Sequence, residues 1–224
     1  MSFTETFLNA EVFLRVLPLL LTGLAMTVQL AVVAILLGVP MGLTVAMLRL
    51  YGPRPVRWLA VGYVDLFRAL PMLVLLILSY YALPFVGIRL SSFAAAAGSL
   101  CVVMSAFSAE VFRAGIESVP QGQVEAARAL GLHFRATMRH VVLPQAMRVV
   151  IPPLTSNCVG IFKETSLASV VALPELVKQG NDAQALTANP TPLIGVAAIY
   201  LVVLWPLVRL VARLEARNAR ARAR

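Results

Sequence analysis

Residues 22–48 read TGLAMTVQLAVVAILLGVPMGLTVAML and contain no charged side chain. A helix needs about 20 apolar residues to cross a hydrocarbon core of roughly 30 Å, and this stretch is longer than that. It lacks the two-residue alternation of apolar and polar side chains that a barrel strand would need. The stretch therefore predicts a membrane-spanning helix and an all-α polytopic membrane protein.

Four further apolar stretches follow along the chain. They predict spans at 58–83, 93–112, 141–162 (or on to 173) and 192–208. Residues 7–21 are too short and too interrupted by charge and proline to cross, so we expect a short N-terminal interfacial helix there. Residues 1–224 are thus predicted to form a single transmembrane domain with five crossings.

Composition and charge support a lipid environment. The 224 residues are 60% hydrophobic and 13% charged, with a mean hydropathy of +0.86, whereas charged residues make up about a quarter of soluble domains. The net charge of +9 is concentrated at the C-terminus. Six arginines lie there: Arg209, Arg213, Arg217, Arg220, Arg222 and Arg224. This run favours anionic lipid headgroups over nucleic acid, because no aromatic side chains are interleaved with it.

The distribution of basic residues also predicts the orientation of the chain. With five crossings, the segments 49–57, 113–148 and 209–224 share one side and carry fourteen Lys and Arg residues, against four on the other side. Lys and Arg accumulate in cytoplasmic loops. We therefore expect the C-terminus in the cytoplasm and the N-terminus outside.

Catalytic and metal-binding chemistry finds little support in the sequence. No phosphate loop of the form G-x-x-x-x-G-K-[ST] occurs, so ATP would have to be hydrolysed elsewhere. Cys101 and Cys158 lie far apart in apolar stretches, and His133 and His140 have no third ligand beside them. We expect no cofactor, no metal site and no catalytic residue.

The segment 113–140 is the longest predicted cytoplasmic connection. Residues 123–130 favour a helix whose small and apolar side chains share one face. These side chains are Val124, Ala127 and Leu130. Glu125 and Arg128 lie on the other side, three positions apart, and Gly131 follows where a helix tends to end. From this pattern alone, the helix either docks into another protein or lies on the lipid surface.

The loop contains the spacing E-A-A-x(3)-G-x(9)-[IV]-x-L-P. The matching residues are Glu125, Ala126, Ala127, Gly131, Val141, Leu143 and Pro144. This arrangement resembles the EAA loop of the membrane subunits of ATP-binding-cassette importers. The resemblance implies that the loop forms a coupling helix, which contacts a separate subunit that binds Mg-ATP and hydrolyses ATP.

Other phrases narrow the resemblance to polar amino acid permeases. They are DLFRALP at 65–71, AEVFRAGIESVPQGQVEAARALG at 109–131, VVLPQAMR at 141–148 and KETSL at 163–167. The resemblance implies a non-catalytic permease in the bacterial inner membrane. It would pass a polar amino acid or related solute from a binding protein into the cytoplasm, together with a second permease copy or homologue. Glutamate, glutamine, histidine, arginine, cystine and opines remain open as solutes.

Two pairs of charges lie toward the predicted cytoplasmic ends of spans. Asp65 and Arg68 are three apart at the start of the second span, and Glu110 and Arg113 are three apart at the end of the third. A charge inside the membrane costs at least about 2.5–3.5 kcal/mol, so each needs a partner. The pairs are either self-neutralised helix anchors or part of the translocation path.

A polar tetrapeptide follows the fourth apolar stretch. It comprises Lys163, Glu164, Thr165 and Ser166. In a long fourth helix these residues lie inside the membrane, where they can offer partners to a zwitterionic solute. In a short helix they form its outer end. They complete our set of candidate path residues.

Two rival functions follow from other features of the chain. An ion-coupled carrier would show internal repeats and buried, unpaired carboxylates near the midplane. We find no repeat, and most carboxylates have basic residues nearby. A membrane-embedded enzyme would need a nucleophile or ligand cluster, which the two histidines do not supply.

Overall fold

The computed structural model describes residues 7–222, with side chains up to residue 216. Within that range the chain contains helices and turns but no strand, which confirms the all-α prediction. The helices are α1 (Ala10–Tyr51), α2 (Arg54–Ala69), α3 (Met72–Ile77), α4 (Ser92–Glu117), α5 (Gln121–Ala129), α6 (Phe134–Thr137), α7 (Leu143–Glu164), α8 (Leu176–Thr187) and α9 (Thr191–Arg222).

Tighter or wider helical turns join several of these helices. A π turn (Leu78–Ala82) and a 3₁₀ turn (Leu83–Val86) follow α3, and a second π turn (Met138–Val142) joins α6 to α7. A 3₁₀ turn (Thr165–Val171) follows α7. The α-helix of the fourth predicted span therefore ends at Glu164 rather than continuing to 173.

Among the described residues, three helices are long and apolar enough to cross a membrane on their own: α1, α4 and α9. The pair α2 and α3 counts as a fourth only if its two pieces form one bent span. The predicted second span is interrupted at Leu70 and Pro71 because a residue before proline avoids the helical region. Length and composition thus identify three candidate spans in the described residues, or four with the bent pair, against the five predicted.

The N-terminal segment corrects the prediction of a separate interfacial helix. Residues 10–21 are the first turns of the continuous 42-residue helix α1. The Asn9 side chain caps this helix by accepting a hydrogen bond from the Val12 N–H at 3.1 Å. Val16 and Leu20 pack against Leu176 of α8 and Val196 of α9. Val16 and Leu20 of this segment are thus covered by protein.

The chain divides into two compact units. The first consists of residues up to Leu36, Leu70–Val102 and Val159–Leu207, and the second of Leu37–Ala69, Val103–Cys158 and the residues from Val208 onward. Side chains of four tail arginines lie outside the described residues: Arg217, Arg220, Arg222 and Arg224.

Close helix contacts inside the first unit depend on glycine. A Cβ on Gly23 of α1 would lie 2.9 Å from the Leu176 Cα of α8. A Cβ on Gly180 would lie 2.4 Å from a methyl carbon of Val196, so α8 also approaches α9 closely. Lipid is as apolar as a helix surface, and such van der Waals contact is therefore a main source of helix association in membranes.

The second unit contains two apolar clusters. One joins α1, α2, α4 and α7 through the buried residues Ala46, Val64, Ala109, Phe112 and Val150. The other consists of Ile116, Val119, Met138, Val142 and Ala146. The second cluster lies where α4 ends and α7 begins, and it supports α5.

Candidate coupling and translocation sites

Helix α5 is a short helix with defined ends. It begins after Pro120, whose extended backbone starts the helix, and it covers Gln121–Ala129. Gly131 adopts a left-handed conformation with φ of +81°. The Gly131 and Leu132 N–H groups donate to the carbonyls of Arg128 and Ala127 at 2.9 and 3.1 Å. These bonds satisfy carbonyls that the helix end would otherwise leave free, so the predicted glycine C-cap is confirmed.

One side of α5 is held by the second unit. Ala127 is 4% exposed, and Val124 packs against the cluster that contains Ile116 and Met138. Leu130 was predicted to share this face, but it is 82% exposed, since the helix has already ended before it. Glu125, Ala126 and Arg128 face solvent. The helix therefore presents a polar, exposed surface on a firm apolar base.

The residues that follow α5 continue the loop motif. Leu143 packs on the apolar cluster beneath α5, whereas Pro144 is exposed. Proline cannot donate a hydrogen bond to the preceding turn. The chain accommodates it with the π turn, in which the Leu143 N–H donates to the Met138 carbonyl. The helix that enters α7 therefore begins at Phe134, earlier than the predicted start near Val141.

A groove of about 380 Å³ lies beside α5 in the second unit. Its walls include Tyr51 of α1 and Phe134 of α6, whose rings meet edge to face with centroids 5.1 Å apart. Its rim includes Glu117 and Arg128. Val124, Glu125 and Arg128 of α5 all line the groove, so it runs along this helix.

Glu110 is the centre of the charged cluster in the second unit. It accepts a hydrogen bond from Arg49 Nη1 at 2.8 Å and from Arg113 Nε at 3.2 Å. Arg68 Nη1 lies 3.8 Å from the same carboxylate, and Arg113 also pairs with Glu117. One carboxylate on α4 thus joins arginines from α1, α2 and its own helix.

The two predicted charge pairs differ in outcome. Glu110 and Arg113 pair across one turn of α4, as predicted. Asp65 is exposed, and no ion pair joins it to Arg68 in the described part of the chain. Arg68 instead approaches Glu110, and its Cζ lies 5.6 Å from the centre of the Phe107 ring. The guanidinium therefore faces α4, away from its own helix neighbour.

The tetrapeptide at 163–166 lies at the end of α7, in the first unit. Lys163 is exposed. One carboxylate oxygen of Glu164 is buried and accepts no hydrogen bond from the described residues. The hydroxyls of Thr165 and Ser166 donate at 2.7 Å to the carbonyls of Phe162 and Lys163, so they turn back on their own helix. Of the four side chains, Lys163 and Glu164 keep polar atoms available.

The eight predicted path residues therefore fall in different units. Lys163, Glu164, Thr165 and Ser166 belong to the first unit, and the four charged residues near α4 belong to the second. The prediction missed Arg49, which comes from a distant helix, and Glu175, which precedes α8. Glu175 follows a proline, and this position gives no indication of burial. The spacing of Lys178 and Asp182, four positions apart, is typical of a helix.

Comparisons with known proteins agree with this architecture. Residues 34–220 match the family described as the binding-protein-dependent transport system inner membrane component. The probable glutamine ABC transporter permease GlnM of Bacillus subtilis is 36% identical over 89% of this chain and 93% of its own length. The L-cystine transport system permease TcyB of the same organism is 33% identical over 82% of this chain and 79% of its own.

A solved structure shares the fold as well as the sequence. It is the crystal structure of an amino acid ABC transporter with histidines, which is 35% identical to this chain and covers 92% of it. The matched region is 96% of the solved chain, and the TM-score is 0.85. With the family match over most of its length, the chain belongs to the inner membrane components of binding-protein-dependent transport systems.

Proposed function

We propose that this chain is the permease subunit of an ATP-driven importer for a polar amino acid or a related small polar solute. The observation that carries the proposal is α5, a helix that is fixed on one side by Ala127 and exposed on the other at Glu125. Relatives named as glutamine and cystine permeases support the solute class.

In this proposal α5 is the coupling helix. A partner subunit binds Mg-ATP and pushes on the exposed face of α5. The apolar cluster beneath it, with Ile116 on α4 and Met138 before α7, passes the displacement to both helices. The end at Gly131 keeps α5 short, so a push moves it as one body rather than bending a longer helix.

Reconstitution tests the proposal directly. The chain is placed in vesicles with its ATPase subunit and binding protein, and uptake of labelled amino acids is measured with and without ATP. We expect uptake only with ATP hydrolysis. Uptake driven by an ion gradient without nucleotide would show a secondary carrier instead.

Cross-linking tests the role of α5. A photo-reactive probe at Glu125 should capture the ATPase subunit, whereas the same probe at Leu186, an exposed residue of α8 in the first unit, should not. Capture of lipid alone by the Glu125 probe would contradict coupling through this helix.

We propose that the C-terminus lies in the cytoplasm and the N-terminus outside. The support is the excess of Lys and Arg on the segments that precede α2, surround α5 and end the chain. This orientation places α5 on the side of the membrane where ATP is available. It requires α7 to cross the membrane as a fifth span, in addition to α1, the bent pair α2 and α3, α4 and α9.

Lys163 and Glu164 are proposed to contact the solute. They are neighbours of opposite charge at a helix end, and a buried Glu164 oxygen has an open acceptor position. An amino acid carries both charges, so each group has a counterpart on the solute.

Glu164→Gln should lower uptake at least tenfold for a basic or zwitterionic amino acid. Ser166→Ala is the control, because its hydroxyl is already bonded to the helix. Unchanged uptake by the glutamine variant would remove Glu164 from the path.

We further propose that two permease chains, identical or homologous, enclose the pathway. The support is the small number of helices long enough to cross, three or up to four in the described chain. The mass of the detergent-purified complex checks this: two permease chains are expected, and a single chain would contradict it.

A further inference from the structure

Glu175 lies at the start of α8 and is completely buried, with 0% of its surface exposed. Among the described residues, it is the one charged side chain in the buried class. Burying a carboxylate is costly unless hydrogen bonds replace its water. Its surroundings therefore need an explanation, and the coupling and path residues above do not provide one.

The carboxylate caps α8. Its Oε2 accepts a hydrogen bond from the Val177 N–H at 2.9 Å, and its Oε1 accepts one from the Lys178 N–H at 2.7 Å. The N–H of Leu176, the first residue of α8, donates to Thr27 Oγ1 of α1 at 3.1 Å. The free N–H groups that begin a helix are thus satisfied by Glu175 and by a hydroxyl from another helix.

Helix α8 approaches α1 closely at the same point. Leu176 is completely buried in the apolar cluster with Val16 and Leu20. A Cβ added at Gly23 would lie only 2.9 Å from the Leu176 Cα. Glu175 and Thr27 therefore fasten the first turn of α8 to α1 at a site where the two helices are closely packed.

The fastening extends back to the tetrapeptide at 163–166. The 3₁₀ turn after α7 is buried at Thr165, Ala168 and Val171. It ends in Ala172, which is left-handed with φ of 56°, and the Leu173 N–H donates to the Ala168 carbonyl at 3.2 Å. The Glu175 N–H then donates to the Leu173 carbonyl at 2.8 Å. Backbone hydrogen bonds therefore continue from the turn that follows Glu164 to Glu175.

We propose that Glu175 is a positioning residue for import: its buried carboxylate fastens α8 to α1 and thereby holds the turn that presents Lys163 and Glu164 to the solute. This inference rests on the proposed amino acid import. Glu175 itself does not touch the solute in this scheme. It acts through the backbone of the turn and through Thr27.

The fastening is sensitive to pH. Burial raises the pKa of Glu175 to about 7, although hydrogen bonds from Val177, Lys178 and Thr27 oppose the shift. The titratable group that faces it from α9 is Tyr200, whose hydroxyl is buried. Lys178 on its own helix pairs with Asp182 instead. The elements α1 and the 3₁₀ turn present the uncharged Thr27 and Thr165.

The sign of the effect follows from the raised pKa. A carboxyl with a pKa of about 7 when packed and 4.5 when exposed binds its proton more tightly in the packed state. The packed arrangement is therefore most stable at low pH and loses that advantage as the pH rises through 7. The protonated fraction of Glu175 is about tenfold higher at pH 6 than at pH 8. We expect the turn to be held better at pH 6.

The test uses the full complex in vesicles and compares amino acid uptake at pH 6 and pH 8. Wild type should transport several-fold faster at pH 6. Glu175→Gln cannot titrate, so its uptake should be equal at the two pH values. Glu11→Gln is the matched control, an exposed carboxylate of the same unit, and should keep the wild-type ratio. All three share the same ATPase and binding protein.

Thr27→Val provides a second variant if the glutamine variant does not assemble. Losing the hydroxyl that bonds to the carboxylate should move the midpoint of the pH profile upward. A wild-type pH profile in both variants would overturn the role of Glu175. Absence of ATP-dependent uptake in the wild type itself would contradict the proposed function instead, so the two failures are distinguishable.

Discussion

Glu110 neutralises more positive charge than any other described carboxylate of the second unit. Three arginines approach it, and two of them, Arg49 and Arg113, are within hydrogen-bond distance. Hydrogen bonds that involve charged groups contribute about 1.5–3 kcal/mol each. The carboxylate therefore holds α1, α2 and α4 together by charge as well as by packing.

Replacing Glu110 by Gln should destabilise the protein by about 1–3 kcal/mol, because the arginines would then repel one another around a neutral amide. The thermal unfolding midpoint of the purified subunit measures this effect. Asp65→Asn removes an exposed carboxylate from α2 and should leave the midpoint unchanged. Equal midpoints for all three proteins would show that the cluster contributes nothing to stability.

At this scale the sequence predicts local partners well and distant ones poorly. The pairing of Glu110 with Arg113 follows from their spacing of three on one helix. Arg49 is 61 positions away from Glu110, and no periodicity connects them. No sequence pattern indicates the burial of Glu175, because that burial depends on α1 and α9, which come from distant parts of the chain.

Gly131 determines where α5 ends. Its φ of +81° is unfavourable for any residue with a Cβ, at a cost of about 1–2 kcal/mol. Gly131→Ala should therefore destabilise the helix end and lower ATP-dependent uptake. Gly122→Ala, in the same helix and equally open, should have no such effect and gains helix propensity. Uptake and ATP hydrolysis, measured together, check this. Full uptake by the Gly131 variant would show that coupling tolerates a frayed α5.

Helices α1 and α4 approach each other closely at Gly42. A Cβ there would lie 2.6 Å from the Ser105 carbonyl oxygen and 2.6 Å from the Ser108 Cβ. Backbone cannot move aside easily, so Gly42→Ala should cost about 1–3 kcal/mol of stability. Gly62→Ala, where the added Cβ would contact nothing, is the control. Thermal unfolding compares the two, and matching midpoints would contradict the close approach.

The elements themselves could be predicted from apolar runs, but their ends depended on tertiary contacts. Residues 10–21 carry Glu11, Arg15 and Pro18, a pattern typical of an interfacial segment. In the structure they extend α1, because α8 and α9 supply the apolar partner that lipid was expected to supply. The start of α7 was predicted late for a related reason: the π turn that absorbs Pro144 leaves no signal of its own.

At the scale of the whole molecule, the second unit contains the parts that a coupling mechanism needs. Helix α5 follows α4 after three residues, and both contact the cluster that contains Ile116 and Val142. Glu110 lies on α4, two turns before that helix ends. In the proposed mechanism, a displacement of α5 would therefore reach the charged cluster through continuous packing.

The proposed orientation gives the last prediction. Leu130, beside α5, and Leu186, on α8, are each 82% exposed. We expect Leu130→Cys to react with a membrane-impermeant thiol reagent only from the cytoplasmic side, and Leu186→Cys only from outside. The background carries Ala at Cys101 and Cys158, two half-buried thiols that pack as small apolar groups. The reagent is added to right-side-out and inside-out vesicles in parallel. Reversed labelling of both sites would invert the topology. Labelling of both sites from one side would instead mean that an even number of crossings separates α5 from α8. That result would contradict the single crossing through α7 that the proposed orientation requires.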